Sequence, residues 1–219
     1  MLIAMKKIQQ WVLPRQKMIN KLLLGLEVAV ILIWVVVSAM ALELGHQSWL
    51  PRLYRLGGRL GIVSLVLFVV VLLPGIIIRL QWWRSVSLPI ATIITPFRQR
   101  LGVLMFITAF IHASFTTTLP YVSLLGFQAL PPPLSPAELF GFFGLIILIP
   151  VWMTSNDRAL QQLGKWWKTI QRLSYLTIWA VAGHLILIGS NYRWLIILIG
   201  ILEILSWWKF HQLKQKKLK

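Results

Sequence analysis

The chain has 219 residues, of which 58% are hydrophobic and only 12% charged, and it carries a formal charge of +17 at pH 7. This balance excludes a soluble globular domain. The basic residues cluster at the ends of apolar stretches, not along a stripe of base-stacking aromatics, so anionic lipid headgroups are the expected partner and nucleic acid is not.

In chain order, residues 1–21 are basic and mixed and read as a retained cytoplasmic lead-in. Six apolar spans follow: Leu22 to Leu44, Leu60 to Ile78, Leu101 to Leu119, Leu139 to Met153, Ile170 to Gly189 and Trp194 to Trp208. A helix crossing a hydrocarbon core needs about 20 residues, so the fourth and sixth are short. The stretch VSLPIATIITPF, Val86 to Phe97, carries two prolines and reads as interfacial or re-entrant. Residues 209–219 form a basic tail. The expected fold is an all-α, integral membrane six-helix bundle over residues 22–208, with both termini on the cytoplasmic side.

Charge supports that topology. With the N-terminus inside, every one of the 22 basic residues lies on the inner side except Arg52, Arg55, Arg59 and Arg193. The loop from Pro120 to Glu138, with its run LPPPLSP, has no basic residue and suits the outer face. The pairs Trp82–Trp83, Trp166–Trp167 and Trp207–Trp208 flank inner boundaries, where an aromatic belt belongs.

The chain has no cysteine, which excludes disulfides, thiolate catalysis, cysteine-ligated iron–sulfur clusters and covalently attached c-type haem. Two of its four histidines lie inside spans. His112 stands 12 residues past Arg100 and His184 stands 12 past Arg172, so both sit about 18 Å along helices that start at the inner face. Ionisable side chains at such depth usually face the bundle interior and mark function. Two imidazoles at one level suit the axial positions of a six-coordinate b-type haem, with Ser114, Thr108 and Ser190 as candidate partners for the ring nitrogens not on the metal. Interhelical hydrogen bonding is the other reading, and spacing alone leaves both open.

Two segments add weight. ITPFRQRLGVLMFITAFIH and TSNDRALQQLGKWWKTIQRLSYLTIWAVAGH resemble the ferric reductase-like transmembrane family, particularly its MsrQ-type bacterial members, which are haem-binding membrane subunits. The matching positions include Thr154, Ser155, Arg158, Leu163, Gly164, Trp167, Arg172, Leu173, Tyr175 and His184, and the resemblance covers about 94–188. It implies electron transfer through haem b held by His112 and His184. Where the family's histidine of L-H-R-L would stand, this chain has Gln171, and thirteen residues before His112 stands another glutamine, Gln99, so a single haem in the outer half is expected. The C-terminal tail shows no G-x-G-x-x-G dinucleotide fingerprint. Electrons are therefore expected from quinol, a flavin such as FMN or a partner protein, with an outer-side acceptor. The setting implied is a bacterial inner membrane or a related energy-transducing one.

Supporting residues are assigned more loosely. Arg100, Arg172 and Trp167 are candidate surroundings for a donor or the haem, together with Arg98 and Lys168. Arg52, Arg55, Arg59 or Arg193 would suit a haem propionate. Glu27 and Glu203 are expected to pair with inner lysines, a quinol or proton site being the sharper alternative. Phe106, Phe110, Phe115 and Trp179 are candidate macrocycle walls, and Gly102, Gly164 and Gly183 candidate points of close helix approach. His46 and His211 are expected at solvent or headgroups. The competing functional class is a haem-free accessory or assembly subunit that keeps the bundle without redox function.

Overall fold

The computed structural model describes residues 2–43, 49–81, 84–120, 122 and 133–216, and the described residues contain helices and no strand. Helix α1 (Leu2–Val12) leads through a 3₁₀ turn at Leu13–Arg15 into α2 (Gln16–Glu43). Next come α3 (Leu50–Leu80) and α4 (Arg84–Ile94). A 3₁₀ turn at Thr95–Phe97 leads into α5 (Arg98–Ala113), which continues as a π-helical stretch, Ser114–Thr118. Then follow α6 (Pro136–Met153), α7 (Asp157–Leu163), α8 (Lys165–Gln171), α9 (Leu173–Leu187) and α10 (Arg193–Lys216).

Local chemistry sets several of these boundaries. Ser135 caps α6: its hydroxyl accepts from the Glu138 amide while the Glu138 carboxylate accepts from the Ser135 amide at 2.8 Å. This reciprocal box, with Pro136 at the first helical position, satisfies donors that the helix start would otherwise leave orphaned. Asn156 caps α7 through Ala159 at 2.8 Å, and Gly164, at φ +50°, makes the corner between α7 and α8.

Among the described residues, five helical stretches are long and apolar enough to cross a bilayer: Lys7–Glu43, Leu50–Leu80, Leu88–Thr118, Pro136–Met153 and Arg193–Gln215. Helix α9, with 15 residues, is shorter than the sequence-predicted span at Ile170 to Gly189 because the chain bends at Arg172 and breaks at Gly189, φ +68°. The proline-bearing stretch before Arg98 is helical and runs on into α5; its prolines are accommodated at the second turn of α4 and at the 3₁₀ turn. Part of the lead-in is likewise helical, as α1. The tryptophan pair at 82–83 and most of the proline-rich loop lie outside the described residues.

Packing organises the helices into two hairpin-like partnerships. Helix α3 lies chiefly on α5, and α6 on α9, while α10 bridges α3 and α9, and α2 covers α5. A core of Phe68, Leu72, Ile76, Met105, Leu148 and Ile178 joins the two partnerships. Outward faces carry exposed Leu22, Leu32, Ile33, Val36, Ile146 and Leu198. An apolar exterior of this kind faces lipid, where backbone groups must be satisfied within each helix. The molecule is an all-helical, multi-pass integral membrane protein.

Two carboxylates are neutralised inside this bundle. Glu203 of α10 accepts from Arg79 of α3 and from Trp207 at 2.7 Å, and Arg79 also reaches Ser206 and Tyr175 at 2.9 and 3.0 Å. Glu27 of α2 pairs with Arg100 of α5 at 3.3 Å. Both glutamates are salt-bridged as expected, but these pairs are to arginines of neighbouring helices, since lateral packing brings those guanidinium groups closer than sequence distance suggests.

Candidate functional site

The two membrane histidines come together although each of their helices packs chiefly on another, α5 on α3 and α9 on α6. His112 projects from α5 and His184 from α9, with ring centres 6.2 Å apart and planes inclined at 74°. Both rings are half-buried because each lines a cavity of about 640 Å³ between the α3–α5 and α6–α9 partnerships. That volume falls in the usual range for cofactor sites, roughly 300–1,000 Å³.

Backbone carbonyls fix both rings. His112 Nδ1 lies 2.9 Å from the carbonyl oxygen of Gly57 in α3, and His184 Nδ1 lies 2.8 Å from that of Ala137 in α6. A carbonyl oxygen can only accept, so in each ring Nδ1 carries the proton and Nε2 keeps the lone pair. Two unengaged lone pairs therefore share one cavity. An imidazole nitrogen lies ~1.1 Å from its ring centre and binds a first-row metal ion at about 2 Å, so rings on opposite sides of one ion have centres about 6 Å apart. The observed separation meets that requirement.

The ring partners differ from the expected hydroxyls. Ser114 accepts from Trp34 Nε1 at 3.1 Å, and Thr108 donates to the Leu104 and Met105 carbonyls within its own helix. Ser190 lines the cavity but makes no contact with His184 Nδ1. The structural residues that sequence reasoning missed are Gly57, Gly61, Ala137 and Gly141. Their pattern, a small residue four positions before a glycine, occurs in both α3 and α6 and is the signal for close helix approach.

Other expected residues fall elsewhere. Phe115 is buried between α3 and α5, Phe110 packs edge-on against Trp34 at 5.4 Å, and Trp179 lies over Gly200. Phe106 stacks on Trp152 at 4.8 Å, nearer the N-terminal end of α5. The aromatic lining of the histidine cavity comes instead from Phe68, Phe142, Tyr54 and Tyr192. Successive helical residues step about 100° around the axis, so sharing a helix with a histidine does not put an aromatic on its face. A methyl on Gly102 would meet nothing within 4 Å, whereas Gly183 is covered by the Phe140 ring.

Of the arginines expected to suit a haem propionate, Arg52 lies over Trp49, Arg55 donates to the Pro51 carbonyl, and Arg193 lies over Trp194; none of these three, nor Arg59, lines the cavity. His211 sits beside Trp207 and Phe210 in α10, and residue 46 lies outside the described residues.

A second cavity, of about 480 Å³, opens toward the N-terminal ends of α5 and α9. Gln99 and Gln171 line it, and their amide nitrogens donate to the end of α6: Gln99 to the Ser155 carbonyl at 2.9 Å, Gln171 to the Val151 carbonyl and Thr154 hydroxyl, each at 3.1 Å. Arg79, Arg98, Lys168 and Arg172 also reach it, as do Trp152 and Trp167, the latter held by the Thr154 carbonyl at 2.9 Å. Arg100 does not line this cavity, being paired with Glu27. Phe68, Met105 and Leu148 border both cavities and form the partition between them.

Among known proteins, the chain is 33% identical over 91 residues to the protein-methionine-sulfoxide reductase heme-binding subunit MsrQ of Agrobacterium fabrum, covering 42% of each chain. It is 30% identical over 118 residues to the subunit of that name from Brucella anthropi, covering 52% of each. It is 30% identical over 122 residues to the magnetosome protein MamZ of Magnetospirillum gryphiswaldense, covering 53% of this chain and 18% of that one. The matched part is thus about half the length of the MsrQ relatives, or less. No solved structure matches. Residues 60–189, more than half of the chain and inclusive of both membrane histidines, match the family described as ferric reductase like transmembrane component, and the chain belongs to that family.

Proposed function

We propose that this chain is the electron-transfer subunit of a membrane redox system, a b-type cytochrome carrying one haem between His112 and His184. The observation that carries the reading is the ring pair: both Nδ1 protons are engaged by carbonyls, both Nε2 lone pairs are free, and 6.2 Å separates the ring centres beside one large cavity. Among the described residues no group of three or more His, Cys, Asp or Glu side chains gathers as a metal site. Two imidazoles alone are a poor cage for a bare ion but the right number for an iron whose other four positions belong to a macrocycle. The names of the MsrQ relatives, heme-binding subunits of a methionine-sulfoxide reductase, support the same assignment.

When bound, the haem supplies one-electron redox chemistry. The chain's part is to hold and insulate it. The Gly57 and Ala137 carbonyls fix ring tautomer and orientation, and Phe68, Leu65, Leu145 and Leu148 supply an apolar wall against which a macrocycle would pack. Gln99 and Gln171 offer only amides, weak ligands compared with imidazole, and their nitrogens are bound to the end of α6. The inner cavity therefore holds no second haem in this reading and is the approach of the electron donor. Its basic residues and indole walls suit a flavin phosphate such as FMN, with quinol or a partner protein as the other donors. Electrons leave to an acceptor on the outer side. Six spans with both termini in the cytoplasm, in a bacterial inner membrane, complete the reading, with α9, fifth in chain order, as the shortest.

The test is the haem content of protein purified from haem-replete membranes. One haem per chain, reducible by dithionite and reoxidised by air, is the expected result. A colourless protein overturns the reading in favour of a haem-free accessory subunit, and two haems per chain overturn the single site.

A further inference from the structure

We infer that Gly61 and Gly141 are matched positioning residues that set the tautomer and the donor strength of His112 and His184; the inference deepens the proposed haem site and rests on that reading for its redox consequence. The two histidines are held in the same way by two different helices. In α3 the carbonyl of residue 57 takes the His112 Nδ1 proton, and residue 61, one turn later, is glycine. In α6 the carbonyl of residue 137 takes the His184 Nδ1 proton, and residue 141, again one turn later, is glycine.

Helix geometry explains the repeat. A side chain leans toward the N-terminus of its helix and covers the turn before its own Cα, so residue i+4 normally shields the carbonyl of residue i from the side. Glycine at i+4 leaves that oxygen open. The oxygen already accepts the helix's own amide from residue i+4, and its second lone pair is available to an imidazole. The ring then lies directly on the glycine. A methyl group built on Gly61 would come within 2.9 Å of His112 Nδ1, 3.1 Å of Cε1 and 3.2 Å of Cγ. On Gly141 it would come within 3.1 Å of His184 Nδ1 and 3.4 Å of Cε1. In both helices a side chain at this position would displace the nitrogen that makes the carbonyl bond, more severely in α3 than in α6.

The bond has an electronic consequence. A proton shared from Nδ1 to a carbonyl makes the opposite nitrogen more basic, and a more basic axial ligand favours the oxidised metal. Loss of either bond therefore raises the reduction potential of a metal held by Nε2. It also releases the tautomer, which is a property of the chain without any cofactor.

The experiment uses full-length protein with ¹⁵N-labelled histidine, in lipid nanodiscs, both haem-free and haem-loaded. In the haem-free wild type, both membrane histidines give the Nδ1–H tautomer. Gly61→Ala shifts the His112 signal toward the Nε2–H form and leaves His184 in place; Gly141→Ala does the converse, by a smaller amount. In the loaded protein the midpoint potential rises in both variants, more in Gly61→Ala, while Gly25→Ala, whose added methyl meets nothing within 4 Å, moves neither readout. Should Gly61→Ala fail to fold, Gly141→Ala carries the test, because its contacts need shift only by tenths of an ångström. Wild-type tautomer and potential retained in the folded variants would overturn the inference, as would equal changes in Gly25→Ala. Failure of the wild type to bind haem would overturn the proposed function instead, and the tautomer readout would still judge the two glycines.

Discussion

Arg79→Leu is the sharpest structural perturbation that leaves the histidines untouched. Arg79 and Glu203 are nearly enclosed, with side-chain exposures of 13% and 7%, and the guanidinium also holds Ser206 and Tyr175 while lying over the Tyr175 and Trp207 rings, 5.1 and 4.7 Å from their centres. Removing it leaves the Glu203 carboxylate buried with Trp207 as its remaining side-chain donor. Breaking one side of a buried ion pair costs about 3–5 kcal/mol. Replacing both sides with apolar residues of similar volume is often neutral or better, so Arg79→Leu/Glu203→Leu is expected to recover at least half of that loss. Reversible unfolding by SDS in mixed micelles, followed by tryptophan fluorescence, measures both variants. A single variant within about 1 kcal/mol of wild type, or a double variant no better than the single, would refute the reasoning that this pair is buried and locks α3 to α10.

Three further outcomes follow from the geometry. Gln99→His/Gln171→His, which puts imidazoles on both sides of the inner cavity, is expected to raise bound haem from one to two per chain; an unchanged ratio in folded protein would mean that cavity shape, not ligand type, excludes the second group. A low-spin ferric ion held by rings inclined at 74° would have its two dπ orbitals close in energy, so the haem-loaded protein is expected to give a strongly anisotropic EPR signal, and a rhombic signal typical of parallel rings would contradict the arrangement. Gly183→Val drives a side chain into Phe140, whose ring atoms would lie 2.7–3.1 Å from the new Cβ, and is expected to destabilise the α6–α9 contact by about 1–3 kcal/mol in the same SDS assay.

What could be read from sequence was whatever depends on a single helix. A constant rise per residue puts His112 and His184 at one depth, and the fold brings their ring centres to 6.2 Å. Properties that depend on which helices adjoin, and on their rotation, were not legible in the same way. Glu27 and Glu203 pair laterally with Arg100 and Arg79, and the expected wall residues Phe110 and Trp179 face away from the cavity. The carbonyl partners of the histidines depend on the register of α3 against α5 and of α6 against α9. Only the spacing of Gly57 to Gly61 and of Ala137 to Gly141 announced them, and that spacing gains its meaning once the neighbouring helix is known. The π-helical stretch directly after α5 had no sequence signal that periodicity would detect.

The central claim, one haem gripped by His112 and His184, is tested most directly by the reduced-minus-oxidised absorption spectrum of purified wild type, His112→Ala, His184→Ala and His211→Ala. Sharp low-spin b-type bands in the wild type and in His211→Ala, lost or converted to high spin in each of the other two, are the predicted result. Low-spin bands that survive in either His112→Ala or His184→Ala would contradict it.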